Sequence, residues 1–220
     1  MKIEIFSDFA CPFCYIAKTK LFQAIKQLNL GEETEVVYRA FELNPTASKT
    51  ETIPYVDTIF KKKNNDLRKT EEFMEALEMH AQDAGVLFNF DKVVLANTKN
   101  AHRLSKLAKL YEKELEFVDI VMEHLFSEGL NLNDSAALLA ICEQIGIDRN
   151  MAQKIIREGQ FTQELMLDRY EAQQLQISSV PFFVFEDHYG IRGVEPIEVF
   201  TNTLLQTKEY IKKNQNRDRI

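Results

Sequence analysis

A Cys-x-x-Cys unit near the N-terminus, Cys11-Pro12-Phe13-Cys14, constrains this chain more than any other feature. It follows an apolar run at residues 3–6 and opens an amphipathic segment, so we expect a strand that leads directly into a helix. Pro12 has no backbone N–H and carries a preset φ, which suits the first helical position and leaves Cys11 at or beside the N-cap. The partial positive charge at a helix N-terminus favours a thiolate, the form of cysteine that attacks a disulfide. We therefore interpret Cys11 as the attacking thiol and Cys14, one helical turn later, as the resolving thiol.

Zinc binding is the alternative explanation for a Cys-x-x-Cys pair. A structural zinc site normally needs a second pair or a Cys/His set further along the chain, and Cys142 is the only other cysteine. Cys142 also falls within a helical stripe of apolar residues, where a free cysteine is typically a small core residue. We therefore favour redox chemistry and expect no bound metal or cofactor, with glutathione or another thiol as the candidate redox co-substrate.

Composition limits the class of protein. The chain has 220 residues, 45% of them hydrophobic, and no linker rich in Gly, Pro or Ser divides it, so we expect one compact unit that is a monomer or a homodimer. The net charge of −7 argues against a nucleic-acid surface. The N-terminus lacks the features of a signal peptide, and no stretch approaches the roughly 18 apolar residues of a membrane span. We predict a cytoplasmic protein without nucleic-acid or membrane partners. In the cytoplasm, cellular thiols would reduce a structural disulfide.

The first 41 residues predict a βαβ unit. Alternating apolar residues indicate a buried strand over residues 2–7, and apolar residues at helical spacing predict a helix from Phe13 to a left-handed stop at Gly31. Residues 34–41 are rich in β-branched and aromatic side chains, which favours a second strand, parallel to the first across a right-handed crossover.

The rest of the chain predicts a long helical insertion followed by a ββα unit. No strand is expected between Pro45 and Pro181, where helical periods end at the four glycines Gly85, Gly129, Gly146 and Gly159. Residues 182–185 and 189–193 predict a hairpin, and Pro196 to Leu205 a last helix. The fold class is therefore α/β, a thioredoxin-like fold with a large all-helical insertion between the βαβ and ββα halves. We assign residues 1–45 and 176–220 to the thioredoxin-like domain and residues 46–175 to the helical insertion domain.

Three segments carry a family resemblance that runs in matching order along nearly the whole chain. They are Asp8-x-x-Cys11-Pro12-Phe13-Cys14-Tyr15, then Ala96-Asn97-Thr98-x-x-Ala101-His102-Arg103, then Val180-Pro181-Phe182-Phe183 with Tyr189-Gly190-x-x-Gly193-x-x-Pro196. With these segments the chain resembles the DsbA-like family of thioredoxin-fold thiol–disulfide oxidoreductases, specifically its cytoplasmic FrnE-type branch. The resemblance implies that Pro181 is a cis-proline facing the disulfide, with Val180 before it.

Kappa-type glutathione transferases and 2-hydroxychromene-2-carboxylate isomerases resemble the chain in architecture but carry Ser in place of the first Cys. A serine hydroxyl can hold a glutathione sulfur but cannot form a disulfide, whereas Cys11 and Cys14 can accept two electrons as a unit. The pair therefore favours dithiol chemistry, and Pro12 and Phe13, between the cysteines, should tune its potential.

Asp8, Asn97 and His102 are weaker candidates for the site. Asp8 could accept a proton near Cys11, although an acidic residue at a strand end is more typical of a cap or a solvated turn. Asn97 is expected to cap the following helix, and His102 is either part of the site or an interhelical hydrogen-bond partner.

Three functions remain open from the sequence. The first is a thiol–disulfide oxidoreductase acting on protein or small-molecule disulfides. The second is a redox-sensing or adaptor protein that binds a partner through the DsbA-like fold. The third is a glutathione-dependent transferase or isomerase of the kappa or 2-hydroxychromene-2-carboxylate type.

Overall fold

The computed structural model describes residues 1–217. The strands are β1 (Lys2–Ser7), β2 (Glu35–Ala40), β3 (Ile53–Pro54), β4 (Val94–Leu95), β5 (Phe182–Phe185) and β6 (Tyr189–Arg192). The helices are α1 (Pro12–Gln27), α2 (Tyr55–Lys62), α3 (Leu67–Ala84), α4 (Lys99–Leu110), α5 (Glu114–Glu123), α6 (Ser135–Gln144), α7 (Arg149–Glu158), α8 (Thr162–Gln174) and α9 (Ile197–Arg217). A 3-10 turn lies at Gly31–Glu33 and a π-helical turn at His124–Glu128.

Four strands form the central sheet in the order β2-β1-β5-β6. β1 pairs in parallel with β2, where Ile5 lies opposite Tyr38, and antiparallel with β5, where Ile5 lies opposite Phe183. α1 is the crossover that the parallel pair requires, and β5 and β6 form the predicted hairpin. The predicted order of a βαβ half, a helical insertion and a ββα half is confirmed.

The end of α1 differs from the prediction. The helix stops at Gln27, and Asn29 rather than Gly31 takes the left-handed conformation, with φ at 54°. The Leu30 N–H then donates to the Ile25 carbonyl at 3.0 Å and satisfies one of the last carbonyls of the helix. The predicted stop at Gly31 is wrong because asparagine also tolerates this conformation and comes first along the chain.

Four glycines lie at the ends of helical segments of the insertion, as predicted. Gly85, Gly129 and Gly159 directly follow α3, the π-helical turn and α7, and Gly146 comes two residues after α6. Gly85, Gly129, Gly146 and Gly159 have φ of 73°, 79°, 84° and 65°. At Gly129 a side chain would also be excluded by space, since a Cβ would meet the Lys92 carbonyl oxygen at 2.4 Å.

Among the helices of residues 1–217, none is both long and apolar enough to cross a membrane.

A small ribbon interrupts the otherwise helical insertion, so the expectation of no strand before Pro181 is wrong. β3 and β4 pair antiparallel, with Ile53 opposite Leu95 and Pro54 opposite Val94. Two-residue strands are too short to show the alternation of apolar and polar residues that marks a strand in sequence. Their pairing is a contact between segments about 40 residues apart, which only the tertiary structure creates.

The last helix is longer than predicted, since α9 begins at Ile197 and continues to Arg217. Tertiary contacts support the added length: Thr207 is fully buried, Lys208 lies 2.8 Å from Glu33, and the Tyr210 ring stacks on His188 at 4.0 Å. Residues 218–220 lie outside the described residues.

The hydrophobic core is continuous between the sheet and the insertion. One cluster of buried side chains contains Ile5, Cys14 and Phe183 together with Leu104 and Phe126 of the insertion. The assignment of domain boundaries at residues 45 and 176 stays a prediction.

A buried network of charges ties the insertion to the sheet through Asp168 of α8. This carboxylate is 2% exposed and accepts hydrogen bonds from the Ala40 N–H at 2.8 Å and from Arg39 at 3.1 Å, and it lies 2.7 Å from the Lys106 ammonium. Arg39 also binds the buried Glu4, with Nε 2.7 Å from the carboxylate. Burial alone would raise the pKa of Glu4, but Arg39 holds it below its usual value. α8 and α4 are therefore anchored to β1 and β2 by paired charges.

Replacing Asp168 with alanine should destabilise the fold. The substitution leaves Arg39 and Lys106 without this carboxylate and the Ala40 N–H without an acceptor, so we expect the free energy of unfolding to fall by about 3 kcal/mol. Urea denaturation followed by circular dichroism measures the change. As a control, Glu143→Ala removes the exposed pair with Arg149 and should cost below about 1 kcal/mol. Equal losses in the two variants would contradict the anchoring role of Asp168.

Candidate active site

The two cysteines lie at the joint between β1 and α1, where the sequence predicts them. Cys11 is the N-cap of α1, with extended backbone at φ −102° and ψ 108°, and Pro12 is the first helical residue. The Cys14 N–H donates to the Cys11 carbonyl at 3.0 Å, and both cysteines are free thiols. The positive end of α1 therefore lies next to Cys11 without an acidic side chain in the first turn to offset it.

The two thiols differ in access. Cys11 is 5% exposed and lines a groove, whereas Cys14 is fully buried behind it. Burial raises the pKa of Cys14 well above its usual value, and the neighbouring Cys11 raises it further. Hydrogen bonds from the Ser7 hydroxyl and the Asp8 backbone act in the opposite direction but are outweighed. At neutral pH Cys14 is consequently a protonated thiol, and Cys11 is the sulfur that a disulfide from outside can reach.

The sheet brings Val180 and Pro181 to Cys11 from far along the chain. The Val180–Pro181 peptide bond is cis, and the Cys11 Sγ lies 3.8 Å from the Val180 carbonyl oxygen. The Pro181 carbonyl accepts a hydrogen bond from Gly193 at 2.8 Å, which ties this loop to the end of the hairpin. The segment named through the resemblance therefore lies beside the Cys11 sulfur.

Asp8 and His102 form a buried pair directly behind the joint. Asp8 is 1% exposed; one carboxylate oxygen lies 3.2 Å from His102 Nε2, and the other accepts the Leu43 N–H at 2.7 Å. The His102 ring packs on Phe9, with centroids 4.9 Å apart. The expectation of a solvated turn at Asp8 is wrong because its carboxylate has partners from α4 and from the loop after β2. The partner of His102 is accordingly at a strand end and not on another helix.

Asn97 lies at the start of α4, as predicted for a capping residue. Its side-chain oxygen accepts the Lys99 N–H at 3.0 Å, and its amide donates to the Ala47 carbonyl at 2.8 Å. Thr98 is the N-cap residue itself. Asn97 therefore connects the first turn of α4 to the loop that forms one side of the groove.

The groove beside Cys11 has a volume of about 860 Å³ and lies between the β1–α1 joint and the insertion. This volume is within the range of known ligand sites. The apolar lining includes Phe13, Leu43, Ile53, Ile59, Phe73 and Leu95. Polar side chains of the loop before β3 and the two lysines Lys62 and Lys63 complete the described walls. The arrangement can hold an elongated, partly apolar molecule against the Cys11 sulfur.

Tyr55 and Ser7 are site residues that the sequence did not reveal. Tyr55 is 5% exposed, lines the groove and stacks on Phe90 with centroids 5.1 Å apart. Its burial and the nearby Cys11 raise its pKa, so its hydroxyl remains protonated at neutral pH. Tyr55 comes near Cys11 through tertiary packing, whereas Ser7 is the last residue of β1, four residues before Cys11.

Within the part of the chain that the structure describes, no group of three or more His, Cys, Asp and Glu residues lies close enough to hold a metal ion. Cys142 is fully buried in α6, where burial raises its pKa to about 12. It is a core residue, as its place in an apolar stripe predicts.

Comparison with known proteins gives a consistent family. The model of the DSBA-like thioredoxin domain matches residues 2–205. The uncharacterized protein YwbO of Bacillus subtilis is 29% identical over 205 residues, which cover 92% of this chain and 94% of that protein.

Solved structures share the architecture. A probable DsbA oxidoreductase from Streptomyces coelicolor matches with a TM-score of 0.89 and 29% identity over 95% of this chain and 90% of its own. The cytosolic disulfide reductase DsbM from Pseudomonas aeruginosa matches with a TM-score of 0.63 and 14% identity over 98% of this chain and 99% of its own. DsbM has also been solved with GSH. At this identity the likeness to DsbM is one of fold alone.

Alkylation of the reduced protein should distinguish the two thiols. We expect iodoacetamide at neutral pH to modify Cys11 first and to leave Cys14 and Cys142 largely unmodified, because burial raises the pKa of both latter thiols. Mass spectrometry after digestion measures the modification of each cysteine over time. In the Cys11→Ser control the fast reaction should disappear. Modification of Cys14 before Cys11 would reverse the assigned order.

Proposed function

This chain belongs to the DSBA-like thioredoxin domain family, and we propose that it is a thiol–disulfide oxidoreductase of the FrnE type that acts on protein or small-molecule disulfides. The observation that carries the proposal is the placement of Cys11 at the mouth of a groove and at the N-terminus of α1, with Cys14 buried one turn behind it. An outside disulfide therefore meets one sulfur first. The second sulfur is held in reserve for the resolving step.

In the reducing direction, the Cys11 thiolate attacks one sulfur of a substrate disulfide. A mixed disulfide forms, and one substrate thiolate leaves. Cys14 then loses its proton and attacks the Cys11 sulfur, which closes the Cys11–Cys14 disulfide and releases the second substrate thiolate. The enzyme has given two electrons to the substrate, and an external thiol pair such as two molecules of glutathione restores the dithiol. In the oxidising direction the same steps run in reverse.

The surroundings of Cys14 suit the resolving role. Its raised pKa keeps it protonated while Cys11 is free, so it does not compete for the incoming disulfide. The Ser7 hydroxyl and the Asp8 backbone hydrogen bond lower its pKa and thus favour the anion that the second step requires. The fold therefore provides both a stable resting thiol and donors for its brief ionised state.

The remaining residues of the site act on geometry in this proposal. Pro12 and Phe13 set the first turn of α1, and Val180 and Pro181 form the wall against the Cys11 sulfur. The pair of Asp8 with His102 holds the joint against α4 and the Leu43 loop. Asn97, two residues before α4, fixes the start of that helix through its bond to the Lys99 N–H.

Two further elements of the proposal concern partners and location. The partners are thiol- or disulfide-containing molecules, and the cytosolic DsbM neighbour supports a cytoplasmic location. The candidate redox co-substrate is glutathione. The GSH complex of DsbM and the groove of about 860 Å³ beside Cys11 support this choice. Transfer or isomerisation with glutathione is disfavoured because a cysteine stands where those enzymes carry serine.

Reduction of insulin disulfides tests the proposed activity. We expect wild-type protein with a thiol reductant to accelerate insulin precipitation, Cys11→Ser to abolish the acceleration, and Cys14→Ser to reduce it at least about tenfold, because mixed disulfides would then resolve only through outside thiols. Turbidity measures the rate. Cys142→Ser is the matched control and should keep the wild-type rate, since Cys142 lies in the core of α6. If the wild-type protein binds a partner but does not reduce insulin disulfides, the result would instead support the redox-sensing or adaptor function.

Formation of a glutathione adduct tests whether glutathione is the redox co-substrate. If glutathione is the recycling thiol, the Cys14→Ser variant should still form a mixed disulfide with it at Cys11, because Cys11 alone faces the groove. Intact-protein mass spectrometry detects the added glutathione. Absence of this adduct in the oxidised variant, with the adduct of another thiol present, would exclude glutathione as the partner of Cys11.

A further inference from the structure

One face of α2 leads along the groove from the reactive cysteine to a cluster of positive charge. Tyr55, Thr58, Ile59 and Lys62 line the groove, and their spacing places them on a single side of the helix. Tyr55 lies near Cys11, and Lys62 follows seven residues later, which is about 10 Å further along the helix axis. A molecule bound along α2 therefore meets hydroxyl and apolar groups first and an ammonium group last.

A pair of aromatic rings leads to the same positive charge from the other direction. The Phe13 ring, between the two cysteines, meets the Phe73 ring edge to face with centroids 6.0 Å apart. The Lys63 ammonium lies over the Phe73 ring, 4.6 Å from its centroid. The wall formed by Phe13 and Phe73 therefore ends at the Lys63 ammonium, and the wall formed by α2 ends at Lys62.

These two lysines are free to pair with a ligand. Among the side chains of residues 1–215, none of the salt bridges involves the Lys62 or Lys63 ammonium. The groove contains two carboxylates: Asp8 is buried and bonded to Leu43 and His102, and Glu51 is exposed on the loop before β3. In a chain of net charge −7, the end of α2 thus offers a local positive site to an incoming anion.

We propose that the groove selects peptide disulfides that carry an apolar side chain beside the cysteine and a carboxylate about three residues from it. Extended residues span about 3.3 Å each, so three residues cover the rise of about 10 Å along α2 from Tyr55, which lines the groove with Cys11, to Lys62. The apolar side chain packs on Phe13 and Phe73, and the carboxylate pairs with Lys62 and Lys63. The inference rests on the proposed oxidoreductase function and names its substrate class.

Matched peptide disulfides test the charge preference. Three peptides share one sequence with Phe beside the cysteine and differ only in Glu, Gln or Lys three residues away. We expect wild-type protein to reduce the Glu peptide with a kcat/KM about tenfold above that of the Lys peptide at low salt, and the difference to shrink as salt screens the charges. The double variant Lys62→Glu/Lys63→Glu should abolish or invert the preference.

Lys61→Glu is the matched control, because Lys61 is an exposed neighbour on α2 that does not line the groove. It changes the net charge by the same amount per residue and should keep the wild-type preference. Equal kcat/KM for the Glu and Lys peptides in wild type would overturn the inference. Loss of the preference for the Glu peptide in Lys61→Glu would also overturn it, and so would a wild-type protein that reduces glutathione disulfide but none of the peptides.

Binding separates a failure of the inference from a failure of the proposed function. The Cys11→Ser/Cys14→Ser variant cannot react, so fluorescence polarisation with labelled peptides measures recognition without turnover. Tighter binding of the Glu peptide that is lost with Lys62→Glu/Lys63→Glu supports the groove even if wild type reduces no disulfide. Active wild type with no charge preference in either measurement refutes the substrate class and leaves the oxidoreductase intact.

Discussion

The two cysteines and the Val180–Pro181 loop are positioned by β1, because this strand pairs with β2 on one side and with β5 on the other. Its carboxyl end delivers Cys11 to the start of α1, and its antiparallel pairing with β5 sets the Val180–Pro181 loop against the same sulfur. The strand is buried at Ile3, Ile5 and Phe6, so its register is fixed by the core on both faces. A shift of one residue would turn these side chains to the opposite faces and separate the cysteine from its loop.

The difference between the two thiols follows from this placement. Cys11, at the N-terminus of α1, is 5% exposed and lines the groove, and one helical turn takes Cys14 fully into the core. In the proposed exchange, contact with the groove makes Cys11 the sulfur that meets an outside molecule, and burial keeps Cys14 protonated. The order of the proposed exchange is therefore a property of depth in the fold rather than of two different side chains.

In the proposed function the insertion contributes recognition, whereas the sheet contributes chemistry. The walls of the groove beyond Cys11 come from α2, α3 and the loop before β3, which bring apolar surface and the two lysines Lys62 and Lys63. Asp168 and its partners anchor α8 and α4 to the sheet, and Asp8 with His102 anchors α4 to the joint. Because the anchors are buried and paired, the insertion is held at one position relative to the cysteine.

Local signals in the sequence were sufficient to place the Cys-x-x-Cys unit at the joint of β1 and α1 and to give the order of elements. Cys11, Pro12 and Cys14 lie within one helical turn, and four glycines end helical segments through their own backbone freedom, so both features are visible in the chain itself. The tertiary structure alone decided the partners of Asp8, the ribbon of β3 and β4, the length of α9 and the place of Tyr55 and Lys62 along the groove. The physical reason is that these features depend on contacts between segments distant in sequence, and periodicity records which face a residue buries but not what it is buried against.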